Sequence, residues 1–122
     1  MTKDEWARRI RSACKKAGTL QPQFKYVIET LAQIMEDRDK VREQYIQTGA
    51  RPTVIHTNKA KEQNIVKNPM LVMEMDLNAQ ALAYWRDLGL TPAGLKKLNA
   101  EVVKDKQAGG NLEKILEGLA DG

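Results

Sequence analysis

Two short strings, Lys67-Asn68-Pro69 and Leu88-Gly89-Leu90-Thr91-Pro92, constrain the fold of this chain more than any other feature. Asn68 can accept hydrogen bonds from the free N–H groups that open a helix, and Pro69 suits the first helical position, where its missing N–H costs nothing. Gly89 can take the left-handed conformation that stops a helix. Thr91-Pro92 then repeats the cap-and-proline start. A helix from Pro69 to about Leu88 is therefore bracketed at both ends. Its interior carries apolar residues and alanines and no pattern suited to catalysis.

Capping signals divide the rest of the chain in the same way. Thr2 and Glu5 stand at capping-box spacing. They open a short helix whose Trp6, Ile10, Ala13 and Ala17 recur at helical intervals, and Gly18 closes it. Thr19 or Gln21 opens a longer helix with Pro22 in its first turn. Along it Phe24, Val27, Leu31, Ile34, Val41 and Tyr45 alternate three and four apart, the rhythm of helix-on-helix packing, until Gly49. Arg38 breaks that rhythm, so it must meet an acid or reach solvent. Glu36, Asp37, Asp39 or an acid on a sister copy qualifies as its partner.

From Pro52 to Lys67 the composition shifts to β-branched residues. Pro52-Thr-Val-Ile-His-Thr57 and Asn64-Ile-Val-Lys67 read as strands around a turn at Asn58-Lys59. Two strands alone are marginal in water. The hairpin must then pack on the helices or join neighbouring subunits.

On the third helix Leu71, Met75, Leu82 and Trp85 form one stripe, interrupted by Asn78. Met70, Met73 and Met75 are adaptable fillers, and Ala79, Ala81 and Ala83 permit close approach. A fourth helix from Pro92 shows Leu95, Leu98, Val102 and Val103 on one side and Lys96 and Lys97 outward. Ala108-Gly109-Gly110 reads as a break before a last short amphipathic piece capped by Asn111, with Leu112, Ile115, Leu116 and Leu119.

The expected class is mainly α: two long helices in a hairpin, a short β-hairpin insert between them, and short N- and C-terminal helices. The segments are a basic N-terminal helix (1–20), a helical oligomerisation core (21–90, hairpin at about 52–67) and C-terminal helices and tail (91–122). With only two Trp, three Tyr and one Phe, such a chain buries little per residue and its folded form leans on partner subunits. The expected interface with sister copies comprises Leu31, Ile34, Arg38, Val41 and Tyr45 of the second helix and Leu71, Met75, Leu82 and Trp85 of the third.

Several function classes recede. The lone Cys14 forms no internal disulfide and fits a reducing compartment. No apolar run reaches membrane-spanning length, and the charged start lacks the apolar stretch of a signal peptide. His56 has no ligand-spaced companions for a metal. No Ser-His-acid set, phosphate-binding glycine loop or HExxH string occurs. Lys15, Lys16 and Arg11 stand near Cys14 and favour its thiolate, but no base accompanies it, and it reads as a small residue on a helix face. No enzyme and no cofactor is expected.

The net charge of +4 is concentrated. Arg8, Arg9, Arg11, Lys15 and Lys16 crowd the first helix, and Lys59 and Lys61 lie near the hairpin turn. Two basic segments on a balanced scaffold point to a polyanion. These seven are the candidate DNA contacts, the first helix leading. No zinc-finger, RRM, KH or clear helix-turn-helix pattern is present, and many weakly basic copies together can substitute avidity for single strong contacts.

The order of these features, with Tyr45-Ile-Gln-Thr-Gly49 ending the long helix and the Asn68-Pro69 and Leu88-Gly-Leu-Thr-Pro92 strings following, resembles the small subunit of tailed-bacteriophage terminases over roughly residues 5–100. After Leu-Thr-Pro this chain has Ala93-Gly94-Leu95-Lys96-Lys97-Leu98, where that family commonly has small polar residues and arginine. The resemblance implies a non-enzymatic subunit that forms a ring of about eight to eleven copies. It implies recognition of the packaging start on double-stranded phage DNA, and recruitment and regulation of the terminase large subunit, which holds the ATPase and nuclease. It also implies action in the cytoplasm of the infected bacterium or lysogen, with no membrane partner. The alternative reading of the residues is a helical oligomeric adaptor that binds protein only, with Arg38 and Asn78 setting register and the C-terminal amphipathic piece as docking peptide.

Overall fold

A computed structural model describes residues 1–104. The expected glycine break, the Asn111 cap and the final amphipathic piece lie outside the described residues.

Helix α1 spans Lys3–Ala17. Thr2 and Glu5 form the expected capping box, and Gly18 ends the helix in the left-handed conformation. Its inward face is Trp6, Ile10 and Cys14, with Ala7 and Ala13 partly covered, whereas Ala17 is exposed. A single 3-10 turn at Pro22–Phe24 leads into α2, Lys25–Gln47. Neither expected cap opens α2. Gln21 makes no side-chain cap, and the buried Thr19 donates its hydroxyl back to the Cys14 carbonyl at 3.4 Å, sealing the end of α1.

Helix α2 is the centre of the molecule, packed by α1 on one side and by α3, Pro69–Asp87, on the other. Two neighbours require two apolar seams. Leu31, Ile34 and Tyr45 belong to the expected one, while Ile28, Ala32 and Met35 form a second that also faces the core. The N-terminal end of helix α1 is tied to α2: the Lys3 backbone N–H donates to Glu36 (2.6 Å) and the Trp6 indole to Asp39 (2.7 Å). Helix α1 thus shares one hydrophobic core with α2 and α3.

The two polar breaks in the helical patterns meet. Arg38 donates through Nε to Asn78 Oδ1 and through an Nη to Asp39 Oδ1, both at 3.2 Å. One turn on, Arg42 reaches Glu74 at 3.3 Å. Steps of +4 on α2 and −4 on α3 are what antiparallel helices require. Glu74 is buried in its side chain (8% exposed), so the Arg42 guanidinium is needed to keep its charge compensated.

This pairing rotates α3 relative to expectation. The stripe turned to α2 is Glu74, Leu77, Ala81, Tyr84 with Trp85, and Leu88. The anticipated stripe lies about 100° further round, one residue on in sequence. There Met75 is 63% and Leu82 49% exposed, with Leu71 half-buried. A charged residue occupying the inward line hid the true face.

Strands β1 (Thr53–Thr57) and β2 (Gln63–Lys67) form the expected antiparallel hairpin, with Ile55 opposite Ile65 and Val54 opposite Val66. Its base is clamped by Asn68. The Asn68 N–H donates to Pro52 (2.9 Å), its Nδ2 to the Arg51 carbonyl (2.9 Å), and its Oδ1 accepts from Met70 N–H (3.0 Å) as the α3 cap. Among the described residues no helix packs substantially on the strands.

Helix α3 ends at Gly89, φ +71°, whose missing Cβ leaves room for Thr19 and Leu98 at under 3 Å from where that atom would sit. A further helix, α4, begins at residue 92 and runs to the end of the described residues. Thr91 caps it by accepting from Gly94 N–H at 3.1 Å. Gly94 lies against the α3 carbonyl of Arg86 so closely that a Cβ would fall 2.1 Å from that oxygen. Leu95 and Leu98 are partly covered, whereas Val102 and Val103 are exposed.

Candidate nucleic-acid interface

Burying Trp6, Ile10 and Cys14 fixes what the opposite side of α1 presents. Arg8, Arg11 and Lys15 follow one outer line, and Arg9 and Lys16, seven apart, follow a second. At 3.6 residues per turn the five cations cover an arc of about 160° centred away from the core. All five are exposed. None enters an ion pair among the described residues, and Asp4 and Glu5 are confined to the first turn. Lys15 and Lys16 also complement the negative end of the helix dipole.

The spacing suits a polyanion. From residue 8 to residue 16 the helix rises about 12 Å, a length over which duplex DNA carries roughly seven phosphate charges. The turn after α1 extends the surface. Arg11 and Lys25 line one shallow cleft together with Leu20, Gln21 and Pro22. Lys25 was not anticipated because it stands fourteen positions after Arg11. Only the fold-back of α1 onto α2 brings the two together.

The hairpin lysines are elsewhere. Lys59 and Lys61 are exposed on the tip, where Lys61 takes φ +63° and Asn58 accepts from the Glu62 N–H at 2.9 Å. The α1 cations flank the N-terminal part of α2, and the hairpin follows its C-terminus. The two basic groups therefore sit toward opposite ends of a helix about 35 Å long, and the structure does not join them into one patch.

The remaining candidates also have definite places. His56 is exposed opposite Asn64 in the hairpin, and among the described residues no cluster of three or more His, Cys, Asp or Glu side chains could hold a metal ion. Cys14 is fully buried in the core. Burial pushes its thiol up from the ordinary value, and the Thr19 hydroxyl offsets this only in part. The nearby cations that favour a thiolate in the sequence point away to solvent, so the expectation of a lowered thiol is corrected.

Of the expected interface residues, Leu31, Ile34 and Tyr45 are enclosed within the single chain and have almost no surface left for a sister copy. Arg38 is partly engaged by Asp39 and Asn78. Val41, Leu71 and Trp85 are half-covered, and Met75 and Leu82 stand open. No helix of the described residues is long and apolar enough to cross a membrane.

The described residues thus form a helical body with a two-stranded β-arm and an exposed cationic face on α1. The family model described as "Phage terminase, small subunit" matches residues 2–105, and the chain belongs to that family. Membership supports a role in phage DNA packaging, in what is generally the non-catalytic subunit of terminase. No curated protein and no solved structure matches the chain.

Proposed function

We propose that this chain is the DNA-recognising, self-assembling subunit of a viral packaging terminase. Copies assemble into a ring, engage the packaging start on double-stranded phage DNA and recruit and regulate the large subunit, whose ATPase and nuclease do the chemistry. The setting is the cytoplasm of the infected host. The observation that carries the reading is the solvent face of α1: five exposed cations, Arg8, Arg9, Arg11, Lys15 and Lys16, mounted on a helix whose other side is locked into the core. Lys25 extends that face, and Lys59 and Lys61 offer a second, separate contact. Met75, Leu82 and the half-covered Val41, Leu71 and Trp85 supply apolar surface for sister copies.

Counterion release gives the test a number. Each phosphate neutralised contributes about 0.9 to the slope of log affinity against log salt. Replacing Arg8, Arg9 and Arg11 by Ala should flatten that slope by up to about 2.7 and weaken binding most at low salt. The fold should survive, since all three side chains are exposed. Unchanged affinity and slope would remove α1 from the interface and turn attention to Lys59 and Lys61. No DNA shift at any salt by the parent protein would favour the protein-only adaptor.

A further inference from the structure

The β-arm carries an apolar surface that the described residues leave bare. In the register of the hairpin, Thr53, Ile55 and Thr57 share a face with Gln63, Ile65 and Lys67. Ile55 is 67% and Ile65 78% exposed. The opposite face is better covered, since Val54 is half-buried. Two β-branched residues directly opposed at the centre of a free face stabilise nothing beyond their own pair, and such exposed strands are ordinarily blunted or covered.

A second bare surface lies on the helical body. On the side of α2 and α3 away from α1, Val41, Met73 and Leu77 floor an open groove, rimmed by Asp37, Lys40 and Asp76. Met73 is about half exposed. Lys40 is already paired with Glu36, and Asp37 accepts from Gln33. The Asp76 side chain has no ion-pair partner among the described residues, and neither has the Lys67 side chain on the arm. The groove thus combines an apolar floor with a free carboxylate. The arm combines an apolar ridge with a free ammonium two residues from Ile65.

We propose that the β-arm of one copy docks its Ile55–Ile65 face into the Val41–Met73–Leu77 groove of a second copy of this chain, with Lys67 meeting Asp76. This deepens the assembly reading and rests on it. The α3 ridge of Met75 and Leu82 is the weaker acceptor: it is convex and offers no matching anion. Each copy gives one arm and receives one, which builds a closed ring or an open chain where each arm goes to a new neighbour and a two-fold dimer where two copies exchange arms; the assembly reading selects the first.

The test places cysteines on both surfaces. An Ile65→Cys, Met73→Cys double variant, oxidised mildly, should give a ladder of covalent multimers on a denaturing gel. Each single variant alone should remain uncrosslinked, as should the parent, whose Cys14 is buried. Separately, Ile55→Asp with Ile65→Asp should raise the concentration for half-assembly by about tenfold or more, equivalent to about 1.4 kcal/mol. The helical circular dichroism of this variant should be unchanged, because no helix of the described residues packs substantially on the strands. Light scattering on the parent protein separates the two levels of inference. If the parent is oligomeric, a double-cysteine variant that yields no ladder and an aspartate variant that still assembles overturn arm docking and leave assembly standing. A parent that stays monomeric at tens of micromolar overturns both.

Discussion

The Asn68 side chain makes two hydrogen bonds that belong to two different elements, and its replacement separates them. Asn68→Ala removes the cap on α3, a loss of about 1 kcal/mol. It also removes the bond from Nδ2 to the Arg51 carbonyl at the base of the hairpin, worth about another 1 kcal/mol. The backbone bond to Pro52 remains. The sum, about 2 kcal/mol, corresponds to a fall of about 8 °C in Tm for a chain of this size. Asn68→Asp distinguishes the parts. Its carboxylate still accepts from Met70 N–H and gains from the positive end of the α3 dipole, but it can no longer donate to Arg51. Hydrogen exchange then provides the readout. Both variants should speed exchange of the strand amides between Val54 and Val66. Only the alanine should also speed Met70 to Val72. A parent-like Tm for Asn68→Ala, or equal loss of protection at the start of α3 in both variants, would refute the double role.

Three further outcomes follow from the same geometry. Gly94→Ala should cost about 1–3 kcal/mol, seen as a lowered Tm, because its Cβ would fall on the Arg86 carbonyl oxygen of α3 and push α4 off; a parent-like Tm would show that α4 does not rest there. At Asp39, burial raises the carboxyl, but the Trp6 indole, the Met1 amino group and Arg38 outweigh it and hold the group below its ordinary value of 3.8. A depressed carboxyl contributes stability above that value and loses it as pH falls through the folded-state pKa. Acid should therefore release α1, read as a Trp6 fluorescence change in a Trp85→Phe background, and an unaltered acid limb in Asp39→Asn would remove Asp39 as the cause. Cys14 should resist an aromatic disulfide reagent in the native protein and react fully in denaturant, since burial both hides the thiol and raises its pKa; rapid native labelling would contradict its place in the core.

What the sequence made legible was local. The caps at Thr2, Asn68 and Thr91 and the stops at Gly18, Gly49 and Gly89 act within a few residues, so their chemistry is visible in the string. The hairpin was legible because β-branched residues flank a turn. Relations between elements were not. Arg38 and Asn78 stand out separately as breaks, but their hydrogen bond needs the register of α2 on α3, which neither helix encodes alone. Glu74 sits on the inward line of α3 and is made tolerable by Arg42, thirty-two positions away. Reading inward lines by hydrophobicity alone therefore selected the adjacent, exposed stripe. The second seam of α2 was missed for a related reason: a helix with two neighbours needs a wider apolar arc than a single a/d rhythm describes. At the candidate interface the α1 cations were readable from composition and helical phase. Lys25 became visible only once α1 folded back.

The two apolar stripes of α3 bear on how copies combine. One is consumed by α2. The other, with Met75 and Leu82, is left open by the described residues, as are the groove at Val41 and Met73 and the arm at Ile55 and Ile65. These three surfaces differ in shape and charge. A two-fold contact centred on the arm brings Lys67 toward Lys67, and one centred on the groove brings Asp76 toward Asp76, leaving like charges opposed. Reciprocal exchange of arms across a two-fold axis avoids this but stops at a dimer. A head-to-tail contact instead covers arm and groove at once, in every copy but the ends, and closing the circle covers those as well. In such a ring the α1 face repeats once per subunit at fixed spacing. Five cations of individually modest affinity then act at high effective concentration on one duplex. Loss of arm docking should therefore lower apparent DNA affinity even though no arm residue of that face touches phosphate. Ile55→Asp with Ile65→Asp, assayed for DNA binding above and below the assembly concentration, should show its deficit only where the parent is assembled. An equal deficit at both concentrations would mean the arm acts on DNA directly.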